Sequence, residues 1–527
     1  MSHAALKRSI IGNAMSNYLR TIVALTVGLI TFRLLYQSMD KTEFGFWSLL
    51  WSVFGFGSMM DFGFGFAAQK RVAELSVHGQ WQELGKVLSS ILGFYGLMAV
   101  VMCGAAFGAG DLLLQAFQVP AERATEFHFV LVLFFAGIAL AFPLGLFPEI
   151  LRGQQRITLV NGILIVAMIA RLALVWWATH HHWGFTAYML IALGFTLLPD
   201  IIAAPLALKH MPEVKLSLRA VSLRALGSTA SFSIFAYIGT CTNLILGKTD
   251  QLVLASGIGI GAVALYQAAG KAGEIFRDFT KQLQDALSPA AAHLHAMGEH
   301  VVLGQLLVKA TRWSIIVATP LYLLCAFYLD EVLRVLTGDK VIESETYFTA
   351  QVLLFWYYTT ILTHSVSKRI FMMTGHERRL MWLGLGEAAA NLIISVTLVL
   401  TTKSVIGVAI GSLIPTLYFG WVHLWPWVAR EGGMTSLELL KSTTLPVLAG
   451  SAPMAVLLMA VAFMPELRFA EPHWTALSHG LVAGLFGAAC LWRFTLTEAE
   501  RHTITSRLPR RRSRPAAATE TPVPASL

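Results

Sequence analysis

Charge is scarce in this 527-residue chain: Asp, Glu, Lys and Arg make up only 13% of it, about half of the roughly 25% that a soluble domain carries. A soluble catalytic domain of ordinary composition therefore has no room here. Cysteine is nearly absent too. Cys103, Cys241, Cys325 and Cys490 each sit inside an apolar stretch without CxxC spacing, which argues against a disulfide framework and a zinc site. A dinucleotide loop is also lacking, because Gly257-Ile-Gly-Ile-Gly261 has neither a preceding soluble strand nor a βαβ context. His180, His181 and His182 crowd one tight turn, where three adjacent imidazoles cannot converge on one ion, so no metal is expected.

What the chain has in excess is apolar sequence. Hydrophobic residues reach 56%, and runs such as 129–148, 404–429 and 442–465 contain no Asp, Glu, Lys or Arg. A helix needs about 20 mainly apolar residues to cross a bilayer, and roughly fourteen segments meet that length. The expected fold is all-α: a polytopic membrane protein of about 14 transmembrane helices. The first apolar stretch is long and lacks a small-residue cleavage site, so it reads as a retained anchor rather than a signal peptide.

The net charge of +9 could suggest nucleic acid, but its distribution does not. With sides alternating across fourteen spans, about two thirds of the Lys and Arg fall on one side, the pattern of the positive-inside rule. That set includes Lys70, Arg71, Lys86, Arg152, Arg156, Lys209, Lys215, Arg219, Arg224, Lys368, Arg369, Arg378 and Arg379. Both termini are therefore expected in the cytoplasm, with no nucleic-acid partner. The tail run Arg510 to Arg512 is expected to be disordered and drawn to anionic membrane lipid.

The chain also repeats itself. A span running into Leu151-Arg-Gly-Gln-Gln-Arg156 and then the helix of Arg171 has a counterpart in Met373-Thr-Gly-His-Glu-Arg378 and the helix of Asn391. The turn Glu43-Phe-Gly-Phe-Trp47 is matched by Ala262-Val-Ala-Leu-Tyr266. The expected organisation is an N-terminal six-helix lobe (1–215), a C-terminal six-helix lobe (216–432), an added helix pair (433–495) and a basic cytoplasmic tail (496–527). Repeated halves place a transport path at their interface, with alternating access by rocking. Spans seven and eight are placed near 227–247 and 259–282, and residues 70–89 are expected to lie along the inner surface. GxxxG spacings at Gly104/Gly108, Gly407/Gly411 and Gly480/Gly484 predict close helix packing.

In this setting the chain resembles the oligosaccharide flippases of the multidrug/oligosaccharidyl-lipid/polysaccharide transporter superfamily, the polysaccharide transporter branch. The residues carrying the likeness are Arg33 with Glu43-Phe-Gly-Phe-Trp47, Asp61-Phe-Gly63, Arg152-Gly153, Lys248-Thr-Asp250, Tyr266-Gln-Ala-Ala-Gly-Lys271 and Thr374-Gly-His376. It covers spans one to twelve and includes the final pair; Arg33 is followed by Leu34-Leu35-Tyr36 where such families often have Leu-Gly. The resemblance implies a MATE-like fold and movement of polyprenyl-pyrophosphate-linked oligosaccharide across a bacterial inner membrane, from the inner to the outer leaflet. It implies no enzyme activity and no cofactor beyond a coupling ion, H⁺ or Na⁺, and admits other polysaccharide-assembly proteins as partners.

A charge near the bilayer centre costs about 2.5–3.5 kcal/mol and so faces a wet cavity or a partner. Arg20, Arg33, Arg171, Lys271 and Arg277 are the candidate substrate-binding cations, since Arg grips oxyanions in a fork and Lys acts as a point charge. Lys271, Glu274 and Arg277 form one stripe at i, i+3 and i+6, readable also as a self-neutralising ladder. Candidate gating or ion-coupling residues are Asp61, Glu149, Arg152, Lys248, Asp250, Glu274 and Glu387. Lys248 and Asp250 are placed at the outer end of span seven, where they could pair with each other. Arg171 and Asp200 are expected not to meet, their depths differing by roughly 13 Å of helix rise. Multidrug or cation antiport is the alternative, disfavoured because Arg20, Arg33, Arg171, Lys271, Arg277 and Arg312 outnumber the buried acids. A membrane polymerase or ligase is the remaining one, disfavoured because the outer loops are short.

Overall fold

The computed structural model describes residues 3–57, 61–230, 234–285, 291, 294–295, 297–338, 344–462, 472–498 and 500–502. Among them the chain is helical, without strands. The first group of helices is α1 (His3–Ser38), α2 (Lys41–Gly57), α3 (Phe64–Val77), α4 (Trp81–Ala116), α5 (Ala124–Gly153), α6 (Ile157–His180) and α7 (Phe185–Lys209). After the short α8 (Leu223–Ala230) come α9 (Ile234–Gly257), α10 (Ile260–Asp285), α11 (His300–Phe327), α12 (Leu329–Thr337), α13 (344–373), α14 (Glu377–Thr402) and α15 (Val405–Glu431). Two further helices, α16 (436–462) and α17 (472–495), close the described chain.

Nine helices among the described residues are long and apolar enough to cross a membrane. The protein is a multi-pass membrane protein, and its arrangement is consistent with fourteen crossings. Alpha-2 falls short of those nine at 17 residues, and α10 falls short for another reason. Alpha-10 alone carries Lys271, Glu274, Arg277, Asp278, Lys281 and Asp285. At about 3 kcal/mol per charge such a helix cannot face lipid, and it packs instead on α2, α9, α11 and α13.

Packing is unequal at the two ends of the bundle. One end, here the basic end, carries Arg152, Arg156, Arg378 and Arg379 on the α5–α6 and α13–α14 turns. At the opposite, far end a single buried cluster unites both groups, including Phe44, Phe46, Leu49 and Leu50 of α2 with Leu254 of α9, Val263 and Ala264 of α10 and Leu333 of α12. Toward the basic end the core divides. One cluster, with Ala68, Leu88, Leu146 and Leu151, belongs to the first group. Another, with Leu307, Phe371, Trp425 and Val428, belongs to the second. The two groups are thus joined at the far end and parted at the basic end, leaving a groove between them.

Alpha-2 makes the join possible. A Cβ at Gly45 would fall on the carbonyl of Ile260, so only glycine lets α2 approach the start of α10 this closely. Further along, Ser52 hydrogen-bonds Gln251 of α9, and the stem of Lys248 lies 3.3 Å from where a Cβ on Gly55 would be. Gln118 Nε2 adds a 2.7 Å bond to the carbonyl of Ser256.

The two turns that suggested a repeat are built alike. Alpha-5 turns into α6 through Gln155 at φ 62°, and α13 turns into α14 through Gly375 at φ 77°. Three expectations need correction. Span seven runs on to Gly257, because the polar Lys248-Thr-Asp250 lies inside a helix rather than ending one. Residues 70–89 do not form one surface segment: α3 ends at Val77 and α4 begins at Trp81, and the apolar side of both is buried. A Cβ on Gly104 or Gly108 would meet nothing within 4 Å among the described residues, whereas Gly407 and Gly411 do pack closely, on Leu398 and Ser395. Gly480 likewise meets nothing, and beside Gly484 only Leu324 comes near, at 3.7 Å. The tail run Arg510 to Arg512 lies outside the described residues.

The added helix pair is pinned by Arg312 of α11. Its Nη1 donates to the Ser442 carbonyl and its Nη2 to the Thr495 carbonyl, each at 2.6 Å, and Glu500 lies 3.3 Å from Nε. Arg312 is therefore a clasp between helices, not one of the groove cations that the sequence grouped it with.

Candidate functional site

The groove narrows where the shared cluster begins, and the second group presents cations there. Lys271 Nζ pairs with Glu274 Oε2 at 2.8 Å and lies 5.4 Å from the ring centre of Phe32 on α1. Arg277 does not continue the ladder to Glu274; its guanidinium turns to Asp278, at 3.1 Å, and lies 5.1 Å from the ring centre of Tyr357. That ring packs on Gly273, whose carbonyl accepts from Tyr322 Oη at 3.0 Å. Lys248 is within electrostatic range of Lys271, Arg277, Glu274 and Asp278. Three cations thus face two carboxylates, which leaves one positive charge in excess.

Lys248 and Asp250 do not pair. The buried Asp250 Oδ2 accepts from Tyr266 Oη at 2.5 Å and Ser412 Oγ at 2.9 Å, and Asn391 Nδ2 donates to the same Ser412 at 2.8 Å. This network ties α9, α10, α14 and α15 together. It sits on the sequence pattern Lys248-Thr-Asp250, but the partners come from three other helices.

The first group presents three acids, Asp61, Glu149 and Asp200, with Arg152 among them. Asp61 accepts from Tyr95 and from the Gly65 amide, the latter at 3.2 Å. Glu149 pairs with Arg152 one turn on. A cavity of about 290 Å³ is lined by Phe54, Asp61, Tyr95, Phe142, Gly145 and Glu149. A second, of about 220 Å³, lies across α5 and includes Glu149, Arg152 and Asp200. The two share Gly145 and Glu149. Asp200 therefore faces Glu149 and Arg152, in agreement with the expectation that it does not meet Arg171.

Of the other expected cations, Arg20 is half-buried on α1 and faces Arg152, with its Nε making no hydrogen bond. Arg171 also leaves its Nε without one. Arg33 is exposed near the far end of α1, apart from the Lys271 group. The structure thus brings together Lys248, Lys271, Glu274 and Arg277 in the second group, and Asp61, Glu149, Arg152 and Arg20 in the first.

Glu387 has partners that the sequence did not indicate. Lys368 Nζ lies 2.9 Å from its Oε2, His364 Nε2 3.1 Å from its Oε1, and Thr416 Oγ1 donates to Oε1 at 3.2 Å. His364 stands on a single π-helical turn, Ile361–Ser365, within α13. A single histidine in an apolar run gives no signal of its own; the relevant cue is the i+4 spacing of His364 and Lys368, which puts both on one helix face.

Comparison with solved structures places this fold. The lipid II flippase MurJ in an inward closed conformation superposes with a TM-score of 0.69 at 13% identity, covering 92% of this chain and 99% of that one. A MATE family multidrug resistance transporter of the MOP superfamily gives 0.64 in its inward-facing conformation, at 15% identity over 80% of this chain and 96% of that one. A MATE family transporter in the outward-facing conformation gives 0.58, at 13% identity over 82% and 97%. The fold is therefore MurJ- and MATE-like. By sequence the chain is 25% identical over 244 residues to the uncharacterized membrane protein MJ1068 of Methanocaldococcus jannaschii, a match covering 45% of each. The match thus spans about half the length of that relative. No family model matches the chain.

Proposed function

We propose that this protein moves a lipid-linked oligosaccharide, carried on polyprenyl pyrophosphate, from the inner to the outer leaflet of a bacterial inner membrane. In this reading the basic end is cytoplasmic, the groove admits the anionic head, and the lipid tail stays in the bilayer. The cycle is alternating access driven by H⁺ or Na⁺. The observation that carries it is the Lys248–Lys271–Arg277 group at the narrow end of the groove, with its excess of positive charge. Charge-assisted bonds to phosphate oxygens are worth about twice neutral ones, so such a wall selects an anionic head. The likeness to MurJ, described as a lipid II flippase, supports a lipid-linked substrate.

Efflux of organic cations is the second reading. It is favoured by the acids of the first group, where Asp61, Glu149 and Asp200 border two cavities that share Gly145 and Glu149, and by the likeness to MATE transporters. The deciding experiment is the leaflet location of polyprenyl-linked oligosaccharide in cells depleted of the protein, by probe accessibility in intact and opened cells. Accumulation on the inner face supports the flippase. Unchanged sidedness with new sensitivity to cationic drugs moves the function to efflux.

A further inference from the structure

His364 is buried, with a polar group beside each ring nitrogen. Thr363 Oγ1, which lies 2.9 Å from the Thr359 carbonyl, stands 2.7 Å from His364 Nδ1. The neutral ring carries one proton, on Nδ1 or on Nε2, and so can donate to one side alone.

On the other side, Trp356 Nε1 donates to Thr416 Oγ1 at 2.9 Å, which fixes the Thr416 proton on Glu387 Oε1. Thus His364 Nε2 and a carboxylate oxygen stand 3.1 Å apart. Among the described residues Nε2 has no other hydrogen-bond partner. An added proton gives the ring a donor on both sides at once, one for Thr363 Oγ1 and one for Glu387 Oε1.

The backbone holds the ring in this place. Two π-helical turns meet here, Ile361–Ser365 of α13 and Phe419–Leu424 of α15. Such turns are rare and frequently mark functional sites. A Cβ on Gly420 would come within 2.9 Å of His364 Cε1, so glycine there leaves the ring its space. The charges acting on His364 are Glu387 from α14 and Lys368 from its own helix; among the described residues α10, α11 and α15 add none.

We propose that the His364 imidazole is a proton-binding site and that its protonation releases Lys368 from Glu387. Empty, the trio has one anion, Glu387, and one cation, Lys368. A proton taken from water at the basic end forms imidazolium, and one carboxylate then faces two cations. Glu387 is buried while the Lys368 side chain is 25% exposed, so Lys368 is the member able to turn toward the groove and an anionic head. The proposal deepens the ion-coupled reading above and names H⁺ as the ion at this site.

The test reads conformation without substrate. Spin labels go on the two basic-end turns through Gln155→Cys and Arg378→Cys, in full-length protein with the native cysteines replaced, in vesicles from pH 8.5 to 5.5. The expected result is a distance shift that follows a one-proton curve, is abolished in His364→Gln, and in Lys368→Met has its midpoint raised by about one unit or more through loss of a like charge. An unchanged curve in His364→Gln, or an unmoved midpoint in Lys368→Met, overturns the site. Lys368→Met keeps the histidine and so decides the matter even where His364→Gln fails to fold. Failure of oligosaccharide transport with an intact pH response removes the flippase reading and leaves the proton site standing.

Discussion

Lys271 of α10 lies 5.4 Å from the ring centre of Phe32 on α1. A cation of one helix group is thereby held against an aromatic of the other, where the groove meets the shared core. A charge over an aromatic face gains about 0.5–2 kcal/mol, less than a phosphate contact offers. The same ammonium can therefore stabilise the empty groove and still be drawn to an anionic head.

Lys271→Ala and Arg277→Ala should each lower oligosaccharide transport by about 10- to 100-fold, the equivalent of losing one charge-assisted contact of about 1.5–3 kcal/mol. Membrane levels should stay near wild type, because Glu274 and Asp278 remain half-exposed to the groove. A leaflet assay with an immunoblot of the membrane fraction checks both. Full transport in the two variants would remove the cationic wall from the mechanism.

Gly45→Val should shift the population away from the state described here. Its side chain would collide with the Ile260 carbonyl, parting α2 from α10 at the far end. Greater labelling of a far-end cysteine by a membrane-impermeant reagent in intact cells is the expected outcome, with reduced turnover.

Asp61→Ala should cost about 1–2 kcal/mol by removing the acceptor for Tyr95 and the Gly65 amide at the start of α3. Asp61→Asn keeps an oxygen for that amide and should retain most of the stability. If Asp61 acts in gating, both variants lose transport while only the alanine loses thermal stability; equal transport in Asp61→Asn and wild type confines the residue to a structural role.

Arg312→Ala should lower the melting temperature of purified protein by several degrees. It strands the Ser442 and Thr495 carbonyls and the Glu500 carboxylate, a loss of roughly 3 kcal/mol. Arg312→Lys should recover less than half of that, since one ammonium cannot span the planar fork. Transport per folded molecule should change little, because the clasp lies away from the groove.

The all-helical, multi-pass character was legible because apolar runs of span length have few other uses. The Lys271–Glu274 pair was legible too, being a local i, i+3 relation. Partnerships across helices were not. Asp250 looked like a surface mate for Lys248 because both stand in one polar tripeptide, whereas its bonds reach Tyr266 and Ser412. Helical spacing also allowed Arg277 a place in a ladder with Glu274, yet it takes its immediate neighbour Asp278. Asp200 was readable as a costly buried acid, but facing Glu149 and Arg152 depends on how α5 and α7 pack. His364 became meaningful only once α13, α14 and α15 were seen to converge.

The united apolar cluster at the far end also has an electrical consequence. A membrane under voltage cannot tolerate a continuous column of water through it. Where Phe46, Leu50, Leu254 and Val263 close together, that column is cut, and the insulating layer of the bilayer is restored by side chains instead of lipid. Any substitution that wets this cluster should show itself first as a leak of small ions, detectable as membrane depolarisation, before any change in the larger cargo.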